Sequence, residues 1–254
     1  MKIGLALSGG GARGIAHIGV LKALDEMGVK PTVLSGTSAG SLVGALYAYG
    51  YAPDDIFDII KNVSIFRSVR PAWAWSGLLT MDGLRELLIH SLPENNFEAL
   101  KIPLIIAATE IRKGEINYFS EGELIPTIVA SCSVPAVFNP VSFNGGLFVD
   151  GGLCDNLPSK PIEPLCDLLI GSHCNPISNN FDPKNLKAVV ERSLLMAING
   201  NTKQSKSICH VVIEPKKLDR FSSFDITRAK EIFEIGYQYT IENFTPAHFQ
   251  KQTA

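Results

Sequence analysis

The sequence has 254 residues, of which 46% are hydrophobic and 19% are charged, and its formal net charge is −2. This balance is typical of a globular protein and excludes a disordered chain. A net charge so close to zero provides no general attraction to nucleic acid, and no apolar run reaches the roughly 18 residues needed to span a bilayer. A length of 254 residues is within the range of one large domain, so we expect a single domain over residues 1–254.

Apolar periodicity divides the chain into alternating strands and helices. Short apolar runs predict strands at Ile3–Ser8, Thr32–Ser35, Leu104–Thr109, Ile116–Ser120, Leu147–Val149, Leu168–Ser172 and Val211–Ile213. Apolar residues at helical spacing predict helices at Gly14–Met27, Ala39–Tyr49, Leu124–Cys132, Leu186–Ile198 and Arg228–Phe244, with a further helix that begins at Pro53. This alternation predicts an α/β fold with a largely parallel sheet covered by helices on both faces.

The first apolar run and the cysteines bear on the expected location. The first apolar run is preceded by one lysine and interrupted by three glycines, which does not fit a signal peptide. The five cysteines are odd in number and lack C-x-x-C spacing, which favours reduced thiols over disulfides or a zinc site. We expect a cytoplasmic protein.

Residues 63–81 follow neither the helical nor the strand period and contain both tryptophans, Trp73 and Trp75. One interpretation is an irregular cap packed on the core. The other is an apolar lid over an acyl-chain pocket, or an edge that makes peripheral contact with a membrane, because tryptophan favours such interfaces.

The stretch Gly36-Thr37-Ser38-Ala39-Gly40 lies between a predicted strand and a predicted helix. In that setting the G-x-S-x-G pattern indicates a nucleophile elbow, with Ser38 at the apex of a strained turn. Glycine at positions 36 and 40 removes Cβ atoms that would clash in such a turn. The Ser38 hydroxyl would face the positive end of the following helix.

A second glycine-rich stretch, Gly9 to Gly14, follows the first strand and opens the first helix. Its backbone N–H groups form a site for negative charge, which could be a phosphate or the oxyanion of an acyl transfer. Gly9, Gly11 and Gly14 also satisfy G-x-G-x-x-G, so a dinucleotide- or phosphate-binding protein is an alternative. That alternative needs an acidic residue at the end of the second strand, and residues 30–35 contain none.

The third stretch is Asp150-Gly151-Gly152, at the end of a predicted apolar strand. Ligands bind at the carboxyl ends of strands in open α/β sheets, so we expect Asp150 at the same edge as Ser38 and the glycine loop. A solvated Asp-Gly turn is the simpler interpretation of this triplet alone. Asp155 is a nearby competitor that lies deeper in the following loop.

A Ser-Asp-His triad is the rival arrangement, because His173, His210 and His248 follow Asp150 in the order of α/β-hydrolases. Only one strand and one helix precede the elbow, whereas several strands precede it in that fold. None of the three histidines lies in a glycine-rich loop, and His17 lies within the first helix as a core or helix-flank residue. The sequence therefore favours an aspartate as the partner of Ser38.

Taken together, the three stretches resemble the patatin-like phospholipase family, which carries G-G-G-x-[RK]-G, G-x-S-x-G and D-G-[GA] in this order. Further similarity lies in Ala130-Ser131 with Pro135, in Asn156 and Pro158, and in Gly236-Tyr237 of the closing helix. The resemblance implies a three-layer α/β/α sandwich with a central, mostly parallel sheet.

The resemblance also implies the chemistry. Ser38 would be the nucleophile and Asp150 the base of a catalytic dyad, with the N–H groups of Gly10, Gly11 and Ala12 as the oxyanion hole. The supporting motif residues would be Gly9, Arg13, Gly14, Gly36, Gly40, Gly151 and Gly152. The implied reaction is hydrolysis of fatty acyl esters of lipids, with neither a metal nor a cofactor. A catalytically silent regulatory member of the same fold is the remaining alternative.

Overall fold

A computed structural model describes residues 1–62, 81–179, 181–183, 186–223 and 226–250 of the chain. Of the irregular segment at 63–81, only Met81 is among these residues, so the expected cap or lid lies outside the described residues. Within these ranges no helix combines the length and the hydropathy that crossing a membrane requires.

The described residues form one sheet of eight strands. The strands are β1 (Ile3–Leu7), β2 (Val33–Thr37), β3 (Leu104–Glu110), β4 (Glu115–Phe119), β5 (Val141–Phe143), β6 (Gly146–Asp150), β7 (Leu168–Ser172) and β8 (Val211–Ile213). Their order across the sheet is β5-β6-β3-β2-β1-β7-β8, and β4 pairs with β3. The predicted strands are all present, and β5 is an additional one.

The centre of the sheet is parallel and fully buried. β1 pairs in parallel with β2 and β7, β2 with β3, and β7 with β8. The strands β1, β2 and β7 are buried at every position, which agrees with their continuous apolar sequences. Such strands bury side chains on both faces of the sheet, as expected for a sheet that helices cover on both faces.

The other end of the sheet is antiparallel. Both β4 and β6 run antiparallel to β3, and β5 and β6 form a hairpin. The hairpin turn places Asn144 and Gly145 at positive φ, 48° and 73°. An Asn-Gly pair tolerates this conformation, which matches the twist of paired strands. The sheet is therefore mixed and mostly parallel, rather than parallel throughout.

Helices flank this sheet. They are α1 (Ala16–Glu26), α2 (Ala39–Tyr49), α3 (Pro53–Asn62), α4 (Asp82–Ser91), α5 (Leu124–Ser131), α6 (Leu186–Ser207) and α7 (Ala229–Asn243). Leu5 and Leu7 of β1 belong to the main core cluster, whereas Ala6 belongs to a smaller one with Leu157 and Ile162. Because successive side chains of a strand point to opposite faces, both faces of the sheet are covered. The predicted α/β architecture is confirmed.

Two helix boundaries differ from the prediction. The first helix is preceded by a 3₁₀ turn at Gly11–Ile15 and begins only at Ala16. The helix that begins at Leu186 continues to Ser207 instead of ending at Ile198. The amides of Asn199 and Asn201 donate to backbone carbonyls of Asn175 and Gly152, so tertiary hydrogen bonds support a stretch of weak helix formers.

Candidate active site

Ser38 lies at a strained turn between β2 and α2. Its backbone angles are φ 52° and ψ −125°, a region that residues with a Cβ rarely occupy. The Ser38 N–H donates to Ser131 Oγ at 2.8 Å, and Ser131 Oγ donates to the Ala107 carbonyl at 2.7 Å. A Cβ at Gly40 would lie 2.3 Å from the Leu7 carbonyl oxygen. The turn is thus anchored to α5, β3 and β1.

Asp150 lies beside Ser38 at the end of an antiparallel strand. β6 is antiparallel to β3, with Asp150 opposite Ala108, while β2 is parallel to β3, with Thr37 opposite Ala107. The carboxyl ends of β2 and β6 therefore meet at adjacent residues of β3. Asp150 lies at the same edge as the elbow, as expected, although its strand is one of the antiparallel strands of the mostly parallel sheet.

The carboxyl group of Asp150 is buried at this meeting point. Burial raises the pKa of Asp150 from its ordinary 3.8 to about 6, while hydrogen bonds from the Ser38 hydroxyl and the Gly152 N–H act in the opposite direction. The Gly152 N–H lies 2.8 Å from Asp150 Oδ1. Desolvation disfavours the ionised carboxylate, so Asp150 is a stronger base than an exposed aspartate.

The glycine loop brings two backbone donors to the same place. Gly10 and Gly11 line a cavity together with Ser38 and Asp150, and neither N–H has an acceptor among the described residues. The Ala12 N–H, by contrast, donates to the Ser223 carbonyl at 2.8 Å. Of the three expected oxyanion donors, Ala12 is engaged in this conformation, and Gly10 and Gly11 remain available.

Gly11 shows why this loop is rich in glycine. Its φ is +55°, and a Cβ on it would lie 2.1 Å from the Ser223 carbonyl oxygen. Two buried side chains support the loop. Arg13 donates from Nε to the Phe221 carbonyl at 2.7 Å. His17 Nε2 donates to the Ser8 carbonyl at 2.8 Å, and burial lowers the pKa of His17 to about 4, so the ring is neutral.

The other histidines make contacts elsewhere. His173 Nδ1 bonds to Glu214 at 2.9 Å, His210 Nδ1 accepts from the Leu169 N–H at 3.0 Å, and His248 caps the turn at Thr245. None of them lines the cavities beside Ser38 that are formed by the described residues.

Asp155, the competitor of Asp150, accepts hydrogen bonds from the Tyr118 and Ser205 hydroxyls. It does not line either cavity beside Ser38. Its carboxyl group therefore connects β4 and α6 rather than serving the Ser38 hydroxyl.

Two cavities open from Ser38. The Asn156 cavity also contains Asp150, Gly10, Asn156, Asn175 and Glu191. The Leu42 cavity encloses about 700 Å³ including its open mouth, and it is lined mainly by apolar side chains, among them Leu42, Val43, Ile60, Leu84 and Phe138. No charged side chain of the described residues lines the Leu42 cavity.

Several residues of the site were not predicted from the sequence. Asn175 follows the carboxyl end of β7, a position where a polar residue is itself a signal. Glu191, Leu194, Leu195 and Ile198 follow helical spacing on α6, but this stripe lines the Asn156 cavity rather than the interior of the core. The contact of Ser223 with the loop has no local signal, because the two lie more than 200 residues apart in sequence.

Comparison with known proteins identifies the family. The sequence model of the patatin-like phospholipases matches residues 5–161, more than half of the chain. The chain belongs to this family. Lysophospholipase NTE1 of Kluyveromyces lactis is 27% identical over an alignment of 269 residues that covers 93% of this chain and 19% of that protein. An NTE family protein of Mycobacterium bovis is 34% identical over an alignment of 178 residues that covers 68% of this chain and 49% of that protein.

The patatin-like chain is thus similar to a fifth of the fungal relative and to half of the mycobacterial one. Among solved structures, VipD from Legionella pneumophila matches with a TM-score of 0.54 and 17% identity, over 95% of this chain and 66% of that chain. At this identity the likeness concerns the fold, and it agrees with a mostly parallel sheet flanked by helices.

Proposed function

We propose that the protein is a lipid acyl hydrolase that cleaves fatty acyl esters through Ser38 and Asp150. One observation carries the proposal: in a patatin-like chain, Ser38 and the buried Asp150 line the same cavity beside two available backbone donors, and the Ser38 hydroxyl is near enough to Asp150 to act on its pKa. The names of the relatives, which include lysophospholipases, support the choice of lipid esters.

In the first step Asp150 accepts the proton of Ser38 as Oγ attacks the ester carbonyl carbon. The carbonyl oxygen becomes an oxyanion that accepts hydrogen bonds from the Gly10 and Gly11 N–H groups. Collapse of this intermediate breaks the bond to the alcohol oxygen, which takes the proton from Asp150 and leaves. Water then attacks the acyl-enzyme by the same route and releases the fatty acid and free Ser38.

Aspartate with an ordinary pKa is a weak base toward a hydroxyl, so this dyad needs help from its surroundings. Burial supplies part of it by raising the pKa of Asp150 to about 6. Each oxyanion donor contributes on the order of 10²–10³ in rate when it is fixed before the reaction. The strained φ of Ser38 holds the hydroxyl at the apex of the turn, where it faces the Asp150 carboxylate.

The Leu42 cavity is the place for the acyl chain. It begins at Ser38 and is lined by side chains of α2, α3 and α4 that present only carbon atoms along most of its surface. Burying an alkyl chain there gains about 0.8 kcal/mol per methylene group.

The test is the release of fatty acid from a panel of phospholipids, lysophospholipids and neutral acyl esters by the wild type and Ser38→Ala. The expected result is release by the wild type alone, with unchanged circular dichroism for the variant. Equal release by both proteins would exclude Ser38 as the nucleophile. Absence of release from every ester by the wild type would favour the catalytically silent member of the fold.

A further inference from the structure

Residues with unpaired buried polar atoms gather around the Asn156 cavity. Among the described residues, four buried side-chain nitrogen or oxygen atoms have no hydrogen-bond partner: Asn156 Nδ2, Asn175 Oδ1, Ser223 Oγ and His173 Nε2. Three of these four belong to residues that line the Asn156 cavity beside Ser38. Buried polar groups are nearly always hydrogen-bonded, so such a concentration at one place points to a ligand that supplies the partners.

The two asparagines flank the glycine loop and the dyad. Asn175 Nδ2 donates to the Gly9 carbonyl at 2.6 Å, which fixes its amide orientation and leaves Oδ1 without a donor. A Cβ placed on Gly9 would lie 2.5 Å from Asn156 Oδ1 and 3.1 Å from Ser38 Cβ. One placed on Gly152 would lie 2.9 Å from both Asn156 Oδ1 and Asp150 Oδ1. Asn156 is therefore a neighbour of both members of the dyad.

The backbone of each asparagine is held independently of its amide. Asn201 Oδ1 accepts from the Asn156 N–H at 3.2 Å, and Asn199 Nδ2 donates to the Asn175 carbonyl at 3.0 Å. Both supporting residues belong to α6. Each asparagine is thus attached to α6 through its backbone, while one buried hydrogen-bonding group of each amide has no partner among the described residues.

The unused groups are an amide donor and an amide acceptor, together with a hydroxyl that can act as either. A neutral hydroxyl group of a ligand, which both donates and accepts, satisfies such a set. The charges of the cavity disfavour the main alternative, a phosphate group. Among the described residues its ionisable lining residues are Asp150 and Glu191, both acidic, and no lysine or arginine lines it. A phosphate would therefore meet no cation among the described lining residues.

From these observations we propose that the Asn156 cavity binds the alcohol side of the substrate and selects esters whose alcohol carries a free neutral hydroxyl next to the ester bond, as in a monoacylglycerol. This inference rests on the proposed function of Ser38. With the acyl chain in the Leu42 cavity, the alcohol lies on the other side of Ser38, against Asn156 and Asn175. A phosphate, when the substrate has one, lies outside this cavity and contributes no selectivity through it.

The experiment compares 1-monooctanoylglycerol with propyl octanoate, which has the same acyl chain and a three-carbon alcohol without the hydroxyls. The wild type should hydrolyse the glycerol ester with a kcat/KM about tenfold higher, because a hydrogen bond to a buried amide is lost with the propyl ester. Asn156→Leu, which breaks no described hydrogen bond of the side chain, should reduce this ratio to about one. 1-Octanoylglycerol 3-phosphate should show no advantage over the neutral glycerol ester.

The matched control is Asn201→Ala, which removes the support of the Asn156 backbone but keeps the Asn156 amide. It should change kcat/KM for both esters by the same factor and preserve the ratio. If Asn156→Leu does not fold, the ratio of kcat/KM for the glycerol ester to that for the propyl ester is compared between Asn156→Ala and the wild type instead. A wild-type ratio near one, a ratio that survives in Asn156→Leu, or a preference for the phosphate ester would overturn the proposal. Failure of the proposed function of Ser38 is distinguishable from these outcomes, because the wild type would then hydrolyse neither ester.

Discussion

Replacing Asp150 by asparagine should stabilise the protein at neutral pH while abolishing ester hydrolysis. The carboxyl group of Asp150 is buried, and its pKa is raised from 3.8 to about 6. Between these two values the folded state binds a proton that the unfolded state has released. The free energy of unfolding therefore decreases as the pH rises from about 4 to about 6, and the stabilisation present at low pH is lost above that range.

The size of the effect follows from the two pKa values. Their difference corresponds to about 3 kcal/mol, which is the cost of keeping Asp150 ionised in the folded protein above pH 6. Asparagine has nearly the same shape and no charge, and its Oδ1 still accepts from the Gly152 N–H. The free energy of unfolding of Asp150→Asn should thus exceed that of the wild type by about 3 kcal/mol at pH 8 and by close to nothing at pH 4.

Urea unfolding of the wild type and Asp150→Asn at several pH values between 4 and 8 measures this difference. The control is Asp54→Asn, which removes an exposed carboxylate paired with Lys22 and should change stability by no more than about 0.5 kcal/mol. An Asp150→Asn protein that is no more stable than the wild type at pH 8 would refute the reasoning. Such a result would mean that the Asp150 carboxylate is well solvated or fully paired.

Three other predictions concern the dyad and the histidines considered as its partners. The kcat/KM of ester hydrolysis should fall about tenfold per pH unit below pH 6, because Asp150 must be ionised to accept the Ser38 proton; a flat profile down to pH 4.5 would contradict this. In urea unfolding, the free energy of unfolding of Ser38→Gly should exceed that of Ser38→Ala by about 1–2 kcal/mol, because glycine adopts the φ of 52° without strain. His210→Ala and His248→Ala should keep kcat/KM close to the wild-type value in the fatty acid assay, and a complete loss in either would restore the triad hypothesis.

The parallel half of the fold and the elbow were predictable because their signals are local. A buried apolar strand, a glycine-rich turn and a small-residue helix follow one another within 20 residues around Ser38. The direction of β6 was not predictable in the same way, because strand polarity depends on pairing with β3, which lies far away in sequence. The position of Asp150 was nevertheless correct, since two strands of opposite direction can bring their carboxyl ends together on a common neighbour.

The polar lining of the site depended on tertiary structure throughout. Ala12 matches the motif as well as Gly10 and Gly11, yet its N–H is occupied by the carbonyl of Ser223. Asn175 becomes part of the site only because β7 lies next to β1 in the sheet. In each case a residue distant in sequence decides whether a hydrogen-bonding group is available to a ligand.

The most direct test of the account is reaction with a fluorophosphonate followed by intact-protein and peptide mass spectrometry. We expect one adduct, on Ser38, in the wild type. Ser38→Ala should form none, and Asp150→Asn should form it far more slowly at pH 8, because the proton of Ser38 then has no base to accept it. An adduct on another residue, or labelling of Ser38→Ala or Asp150→Asn at the wild-type rate, would contradict the assignment of Ser38 and Asp150 as the reacting pair.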